Sequence, residues 1–554
     1  MLRISLLFTS CLSITAIPSI FPLPLTATSS PGCLLLSPSF KLTASGAGAN
    51  DAYLTAALTR ATAARTTTNS RSESYDVCDF TDAGLLSLIT VFVNESRGSN
   101  VLPSLGDDES YTISIAADSI ATSFVNATTV WGAMRGLESL SQLISGAVGD
   151  TKQRLFISAS SVSIADAPRF SHRGLMIDTG RAFIPVNLIM ATLDAMSYVK
   201  LNVLHWHITD DQAFPIVSAA WPNLTMGAMQ APALSHTYAR SDAVAIIEAA
   251  AERGIRVIPE FDVPGHSTSW FAGYPQLATV CECPDCGSTF SKPMDPTLET
   301  TYDFLSTLFT EMTSVFPDAF FHIGGDEVDP TCWLNNSNVV AFMKVHGFET
   351  TAQLQEYFES RVFAMLPKKE VIIWEGNFGA SSTYPSGAIV EAWKEKSGNL
   401  TVVEKLIRAN YTVIYTTPSW YLDWIEKGDD HVDQPGDWVD YHTVDPLANT
   451  TLTPVQQQKM LGAEVAMWTL YEDASNFMPT VFPRATAVAE RLWSAAGATV
   501  DDSTALLNRM RNIRCRMIAR GIAVSPIEIA GSCPNSGQVN YVPPWGREGG
   551  REEL

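Results

Sequence analysis

The segment His322-Ile323-Gly324-Gly325-Asp326-Glu327 sets two carboxyl side chains next to each other behind a pair of glycines. A diglycine lets backbone or ligand come close. Adjacent carboxyls can serve one substrate only where a strand ends, because neighbours within a strand face opposite sides. Glycoside hydrolysis needs one carboxylic acid to protonate the leaving oxygen. A carboxyl beside another carboxylate and near apolar rings has its pKa raised, which suits that acid. Similar groups follow other short apolar runs: Asp178 and Arg181; His205, His207, Asp210 and Asp211; Glu260, Asp262 and His266; Trp374 and Glu375; Glu391 and Trp393; Trp420, Tyr421 and Asp423; Glu464 and Trp468. Many carboxylates, four or five tryptophans and one clear Arg point to a carbohydrate. Aromatic faces pack on the C–H surface of sugar rings, and carboxylates accept from hydroxyls.

A metal centre is the competing chemistry. His205-x-His207 places two imidazoles on one face of a strand, with His266, His322 and several Asp close in the pattern, and barrel metallohydrolases use such sets. Against it, no Lys stands at the fourth or fifth strand end to bridge two metals. We therefore expect no metal and no organic cofactor.

Something must bring these groups to one place. From Arg169 onward, short apolar runs alternate with helical patterns such as IMATLDAMSYVK and DAVAIIEAAAERG. The runs are 174–179, 201–209, 256–262, 320–327, 371–376, 388–393, 411–418 and 462–468. Eight strands with helical crossovers predict a parallel (β/α)8 TIM barrel, whose active site lies at the C-terminal strand ends. Before it, residues 111–118 and 154–166 read as strands and 130–144 as a helix, so a small α+β domain comes first. The Arg/Thr/Ser-rich stretch 60–74 reads as a flexible loop. The expected boundaries are 1–25, 26–167, 168–520 and a Gly/Pro-rich tail at 521–554.

The chain has 554 residues, 46% hydrophobic and 17% charged, enough apolar material for a large core. Its net charge of −22 repels phosphate backbones and anionic lipid, so nucleic acid is excluded as a partner. No segment has about 18 uninterrupted apolar residues, so no stable membrane insertion is expected.

The first residues, with Arg3 before a short, broken apolar stretch, read as a cleaved signal peptide over 1–25. Seven N-glycosylation sequons agree with export: Asn94, Asn126, Asn223, Asn335, Asn399, Asn410 and Asn449. Of nine cysteines, Cys11 lies in the signal, leaving an even set of eight. In an oxidising compartment eight cysteines suggest four disulfides. Clustering favours Cys33–Cys78 and Cys515–Cys533, with two bridges among Cys281, Cys283, Cys286 and Cys332; the C-x-C-x-x-C cluster could instead hold zinc. The final Arg551-Glu552-Glu553-Leu554 resembles a retention address for the endoplasmic reticulum. Lysosome or extracellular space are the other destinations.

Six segments together resemble glycoside hydrolase family 20, the lysosomal-type β-N-acetylhexosaminidases. They are HRGLMIDTGR (172–181), LNVLHWHITDDQAFP (201–215), RGIRVIPEFDVPGH (253–266), HIGGDEV (322–328), WYLD (420–423) and PRATAVAERLWS (483–494). The resemblance implies exo action on terminal β-linked GlcNAc or GalNAc of glycoconjugates or chito-oligosaccharides. It also implies a retaining, substrate-assisted route that departs from the two-carboxylate scheme. By the same resemblance, Glu327 is the general acid/base, Asp326 orients the acetamido N–H, and Tyr421 donates to the acetamido oxygen. Trp374, Trp393 and Trp468 wall the pocket, Arg181 binds outer hydroxyls, and Asp210 and His266 form a pair beside the acid. Asp423 accompanies neutral rather than 6-sulfated sugars. Homodimerisation is implied by family analogy.

One departure is plain. After the strand-eight Trp the family usually has Gly-Glu, and that Glu binds outer hydroxyls. Here Trp468 is followed by Thr469 and Leu470, with Glu472 two residues on. A lost hydrogen-bonded carboxylate costs on the order of 1–3 kcal/mol of recognition. A barrel that binds sugar without turnover is therefore the alternative to the hydrolase.

Overall fold

The computed structural model describes residues 20–533, apart from internal stretches of which the longer are 68–77, 117–122, 147–153, 229–235, 282–291, 377–382, 396–399, 424–436 and 498–502. The expected signal peptide before Ile20, and the tail with Arg551 to Leu554, lie outside the described residues, as do Cys283, Cys286 and Asn399.

Alternating apolar residues build the N-terminal sheet. In Tyr111–Ala116, Tyr111, Ile113 and Ile115 are buried while Thr112 faces outward, the period-2 pattern of a half-covered strand. Eight strands line up in the order Thr26–Ser30, Ser161–Asp166, Tyr111–Ala116, Phe124–Ala127, Gly84–Val93, Leu34–Ser45, Leu155–Ile157, Ser145–Gly146. The helix Val130–Leu143 packs on this sheet, capped by the Thr129 hydroxyl, which accepts from the Gly132 N–H. Gly132 and Gly136 let it come close, since a Cβ on either would meet Ser110 O at 2.3 Å or a Val125 methyl at 2.6 Å. One expectation fails here. Of the expected loop 60–74, residues 60–67 are instead the second half of a helix, Ala52–Thr67, and 68–74 lie outside the described residues. Its Ala-rich sequence favours helix despite the polar content, and Leu54 and Ala57 are buried in the domain core.

The second unit is a closed parallel barrel. Its strands are β1 (His172–Asp178), β2 (Val203–Thr209), β3 (Arg256–Phe261), β4 (Phe320–His322), β5 (Glu370–Trp374), β6 (Ile389–Ala392), β7 (Thr412–Tyr415) and β8 (Met460–Met467), each paired with the next, and β8 with β1. All eight expected runs are strands. On β2, Leu204, Trp206 and Ile208 face the helices and join the main core. Val203, His205 and His207 alternate with them and face inward, as a period of two requires.

The barrel interior is layered. The lowest layer is aliphatic and aromatic: Val203, Ile258, Phe320, Ile372, Ile389 and Ile414. Above it lies an ionic layer of His172, His205, Glu260, His322, Glu391 and Glu464, all buried. Gly174 makes room there, because a Cβ would sit 2.4 Å from the Glu464 carboxylate. Met176, Trp374 and Ala466 close the layer above, with Trp393, Tyr421 and Trp468 packed against them. That last group is the floor of the mouth.

Buried charges join the two units. Glu109 accepts from Arg135 (2.8 Å), Arg173 (2.6 Å) and Asn202 (2.8 Å). Asp166 accepts from Tyr111 (2.6 Å), Lys200 (3.0 Å) and Trp493 (3.0 Å). Among the described residues, no helix is long and apolar enough to cross a membrane.

Candidate active site

The loop after β1 turns sharply because Asp178 Oδ1 accepts from the backbone N–H groups of Gly180 (2.8 Å) and Arg181 (3.0 Å). This aims Arg181 across the mouth. Its Nη1 is 3.2 Å from Asp178, its Nη2 is 2.7 Å from Asp210 Oδ2, and its guanidinium stacks 4.8 Å from the Trp468 ring centre. Asp210, just past β2, is also 3.1 Å from His207 Nε2 and 3.3 Å from His266 Nδ1. Burial pushes the Asp210 carboxyl up, but Arg181, His207 and His266 outweigh it and hold it well below the usual range. The expected Asp210–His266 pair is therefore formed, and Arg181 is its third member.

His266 carries that charge network to the strand-four turn. Its Nε2 is 3.8 Å from Asp326 Oδ2 and 3.6 Å from Glu327 Oε2. Both His266 and Glu327 have φ +46°, a left-handed backbone that non-glycine residues adopt at a cost and that collects at functional sites. Gly324 (φ +68°) and Gly325 (φ +97°) allow the turn. A Cβ on Gly324 would lie 1.9 Å from Asp262 Oδ1, and the Gly325 N–H donates to that same oxygen at 2.9 Å. The diglycine thus exists to bring the turn over Asp262.

The two adjacent carboxyls part company here, and not as the sequence implied. Asp326 is 9% exposed, one of its oxygens (Oδ1) has no hydrogen-bond partner, and Asp262 lies against it. Burial raises the Asp326 pKa, and Glu260 and Glu327 add to that against the pull of His266. Asp262 is pushed well above the usual range by burial and by Asp326. The Glu327 side chain is 59% exposed. Its pKa is lowered, first by the His266 imidazole 3.6 Å away. The raised carboxyl expected for the acid is thus Asp326 in the unliganded protein. Glu327 faces water and a cation, not the apolar rings.

The aromatic walls assemble largely as expected. Trp374 and Trp468 have ring centres 6.0 Å apart, and Tyr421 meets Trp468 edge-on at 6.0 Å. Trp374 is fixed by donating to Glu260 (2.7 Å), and Trp393 by donating to the Glu375 carbonyl (2.8 Å). Burial and Asp326 push the Tyr421 phenol well up, so it stays a neutral donor. Trp420 is the exception. It is fully buried and donates to the Tyr441 carbonyl (3.0 Å), so four aromatic residues, Trp374, Trp393, Trp468 and Tyr421, line the mouth. Glu391 and Glu464 also fall short of the mouth, because they point into the ionic layer.

On the far side, Asp423 is 3% exposed with Oδ1 unpartnered. Burial, helped by Glu472, lifts it to about 7. Leu470 is 53% exposed, and Glu472 is buried with its carboxylate accepting from the Tyr471 N–H at 3.1 Å.

The sequence missed the ionic layer. His205 sits between Glu464 (2.6 Å) and Glu260 (2.8 Å), and His207 bonds Glu260 at 2.7 Å. Burial draws His207 down, yet Glu260 and Asp210 lift it to about 10. His322 is driven by burial to about 3 and stacks on His205 at 4.8 Å. The signal was the inward register shared by His205 and His207. Among the described residues, four sets of side chains lie close enough to share a cation: His205, Glu260 and His322; His205, Glu391 and Glu464; Asp210, Asp211 and His266; Asp262, His266 and Asp326. In each set, contacts between imidazole and carboxylate account for the geometry. Lys394 was also missed. It is exposed at the rim, 5.4 Å from the Trp393 ring centre, and it adds to the lowering of Glu327.

Cysteine pairing agrees with the clustering. Cys33–Cys78, Cys281–Cys332 and Cys515–Cys533 are bonded, which removes Cys281 from any zinc set. Among the sequons, Asn94, Asn223, Asn335, Asn410 and Asn449 are exposed and Asn126 is half-buried in its strand.

The family model described as glycosyl hydrolase family 20, catalytic domain, matches residues 170–496, and a second, described as beta-acetyl hexosaminidase like, matches 20–143. Beta-hexosaminidase subunit beta of Mus musculus is 41% identical over 428 residues, 77% of this chain and 76% of that protein. The alpha subunit of Rattus norvegicus is 38% identical over 449 residues, 80% of each. The crystal structure of Flavobacterium johnsoniae chitobiase superposes with a TM-score of 0.75 at 28% identity, covering 90% of this chain and 72% of that one. Barrel, mouth and both matched segments agree: the chain is a glycoside hydrolase and belongs to glycosyl hydrolase family 20, among its β-N-acetylhexosaminidases.

Proposed function

We propose that the chain releases terminal, non-reducing β-linked GlcNAc or GalNAc from glycoconjugates or chito-oligosaccharides, with retention, using the substrate's own acetamido oxygen as nucleophile. The observation that carries this reading is Asp326, a buried carboxyl with one unpartnered oxygen at a pocket walled by Trp374, Trp393, Trp468 and Tyr421. A carboxyl so enclosed suits an amide N–H better than attack on carbon. Glu327, on the exposed side, gives its proton to the leaving oxygen as the C1–O bond breaks. The acetamido oxygen closes on C1 to give an oxazolinium ion. Asp326 accepts the N–H and balances the positive charge, while Tyr421 holds the acetamido oxygen in line. Water then gives a proton to Glu327 and opens the ring at C1. Arg181 and Asp423 would hold the outer hydroxyls.

The test is a series of p-nitrophenyl glycosides whose N-acyl group is acetyl, fluoroacetyl, difluoroacetyl or trifluoroacetyl, assayed with EDTA present. A steep fall in kcat as fluorines withdraw electrons from the acyl oxygen supports participation. A flat series sinks it. A folded protein that binds the sugar but turns over none of them favours the binding barrel, and activity lost only with EDTA favours a metal. Export rests on the signal peptide and the three disulfides, and N-glycosylation on the exposed sequons. Homodimerisation rests on the family likeness; sedimentation of the purified protein checks it.

A further inference from the structure

Beneath the strand-four turn lies a side-chain pair that the reaction scheme does not use. Helix Thr351–Ala364 presents Gln355 and Glu359 one turn apart toward the barrel. Gln355 Nε2 donates to the Gly325 carbonyl at 2.7 Å and to Glu359 Oε1 at 2.7 Å. Glu359 is 4% exposed, and a Cβ on Gly325 would lie 3.4 Å from its Oε1 and 3.0 Å from Ile373. Gly325 immediately precedes Asp326 and Glu327 and has φ +97°. Glycine takes this backbone freely, so a hydrogen bond to its carbonyl helps fix the turn.

We propose that Gln355 and Glu359 form a strut for the catalytic turn, Glu359 fixing the Gln355 amide and Gln355 fixing the Gly325 carbonyl, so that both act as positioning residues for Asp326 and Glu327. The chemical state of the strut follows from its surroundings. The groups that act electrically on Glu359 are Glu356 on its own helix and the Tyr384 phenol on the segment before β6; Gln355 is neutral. Burial first, and then Glu356, lift Glu359 to about 8 against the Gln355 hydrogen bond. Below that pH the carboxyl is neutral and sits comfortably among Ile373 and the turn. Above it, a carboxylate forms in an apolar site with no cation acting on it among the described residues and must draw in water. The carboxylate still accepts from the Gln355 amide, but the water drawn in beside Ile373 breaks the dry packing that fixes Glu359, and the turn loosens.

This inference rests on the hydrolase reading, and the experiment separates the two. Wild type, Glu359→Gln and Gln355→Ala are compared from pH 5 to 9.5 by kcat and KM on the β-GlcNAc p-nitrophenyl glycoside. Amide hydrogen exchange of the 323–328 segment, corrected for the intrinsic rate, is followed in parallel. In wild type, log kcat should fall with a slope of about −1 as the general acid deprotonates and steepen to about −2 above pH 8. Glu359→Gln keeps the strut without the titration, so kcat at pH 6 stays within about twofold and the slope stays near −1. Gln355→Ala removes the donor, so kcat falls about tenfold with KM within about twofold, and protection of 323–328 drops at every pH. Wild-type protection drops only above pH 8, and Glu359→Gln abolishes that drop. Identical slopes in wild type and Glu359→Gln, or unchanged protection in Gln355→Ala, overturn the strut. If wild type turns over no sugar, the hydrolase reading fails, and the exchange data alone decide the strut.

Discussion

His266 Nε2 stands 3.6 Å from Glu327 Oε2, while the opposite ring nitrogen, Nδ1, is 3.3 Å from Asp210 Oδ1. The imidazole is thus held from behind by a carboxylate that Arg181 and His207 keep ionised. It faces the acid across a gap longer than a hydrogen bond. Contacts of this kind are long in unliganded enzymes and tighten when substrate arrives. Burial draws the His266 pKa down, but Asp326, Asp210 and Glu327 outweigh it and lift it well above the usual value. Near neutral pH the free site therefore holds imidazolium beside carboxylate.

That pairing predicts a shift in pH dependence. The acid must be protonated to work, and His266 lowers its pKa in the free protein. kcat/KM reports the free enzyme, so its falling limb should lie at lower pH than that of kcat, where bound sugar excludes water from Glu327. Replacing His266 by Gln removes the cation, and the limb of kcat/KM should then move to higher pH. Lost orientation should cost on the order of 10–100-fold in kcat. A limb that stays in place would show that the imidazole does not set the proton affinity of the acid.

The acid itself is tested by leaving-group dependence. Glu327→Gln should lower kcat by about 10²–10⁴ for aglycones that need a proton. It should do far less for a dinitrophenyl glycoside, whose leaving oxygen needs none. The side chain is mostly exposed and pays little into packing, so the thermal midpoint should stay within about 2 °C. Equal losses on both substrates would move the acid role elsewhere.

These chemical assignments were legible to different depths in the sequence. The eight barrel strands announced themselves as short apolar runs, and the strand ends then named Arg181, Asp210, His266, Asp326, Glu327 and Tyr421 without geometry. What the runs could not give is depth along the barrel axis. Glu391 and Trp393 are two residues apart on one inward-facing register, yet one lies in the ionic layer and the other at the mouth. Trp420 and Tyr421 are neighbours, yet the first packs into the core and the second faces the pocket. The raised carboxyl was assigned to the wrong partner for the same reason. Asp326 and Glu327 share a composition and differ in which side of the turn each one faces. The helix Ala52–Thr67 reads as loop in the sequence because its exposed residues include Thr55, Thr59 and Thr62, a type that favours helix weakly.

Asp423 yields a selectivity prediction with a definite sign. Its pKa is lifted to about 7, chiefly by burial. It is therefore mostly neutral at pH 5 and mostly charged at pH 8. Charge repulsion against a 6-sulfated sugar should appear only as pH rises. The ratio of kcat/KM for neutral over 6-sulfated glycoside should widen by about tenfold between pH 5 and pH 8, the scale of one partly screened like-charge contact. Asp423→Asn should flatten it. A ratio that is the same at both pH values would remove Asp423 from that role.

Leu470 gives a prediction about recognition. By the family resemblance a carboxylate is expected at its position, and Leu470 is exposed, so a longer polar side chain meets no packing barrier. Leu470→Glu should lower KM about tenfold through one added hydrogen-bonded carboxylate, on the order of 1–3 kcal/mol, with kcat within about twofold. An unchanged KM would mean that Glu472, buried two residues on, already fills the need; Glu472→Gln would then raise KM.

The last prediction concerns how the N-terminal domain is held to the barrel. Lys200 Nζ lies 3.0 Å from Asp166 and 2.9 Å from the Tyr111 hydroxyl, over the Trp493 ring at 4.4 Å. Tyr111 and Asp166 belong to the N-terminal sheet, Lys200 precedes β2, and Trp493 ends the helix Arg484–Trp493 that follows β8. Both charges are fully buried, so neither can turn to water if the other is removed. Lys200→Met should therefore destabilise the protein by about 3–5 kcal/mol, the cost of leaving a buried carboxylate without its cation. Adding Asp166→Asn removes the stranded charge and keeps one of the two acceptor oxygens, so the double variant should recover roughly half of that loss. Denaturant unfolding followed by tryptophan fluorescence measures both. A single variant within about 1 kcal/mol of wild type would show that the pair contributes no more than the packing around it. In that case the separate network of Glu109 with Arg135 and Arg173 would have to account for the joint between sheet and barrel.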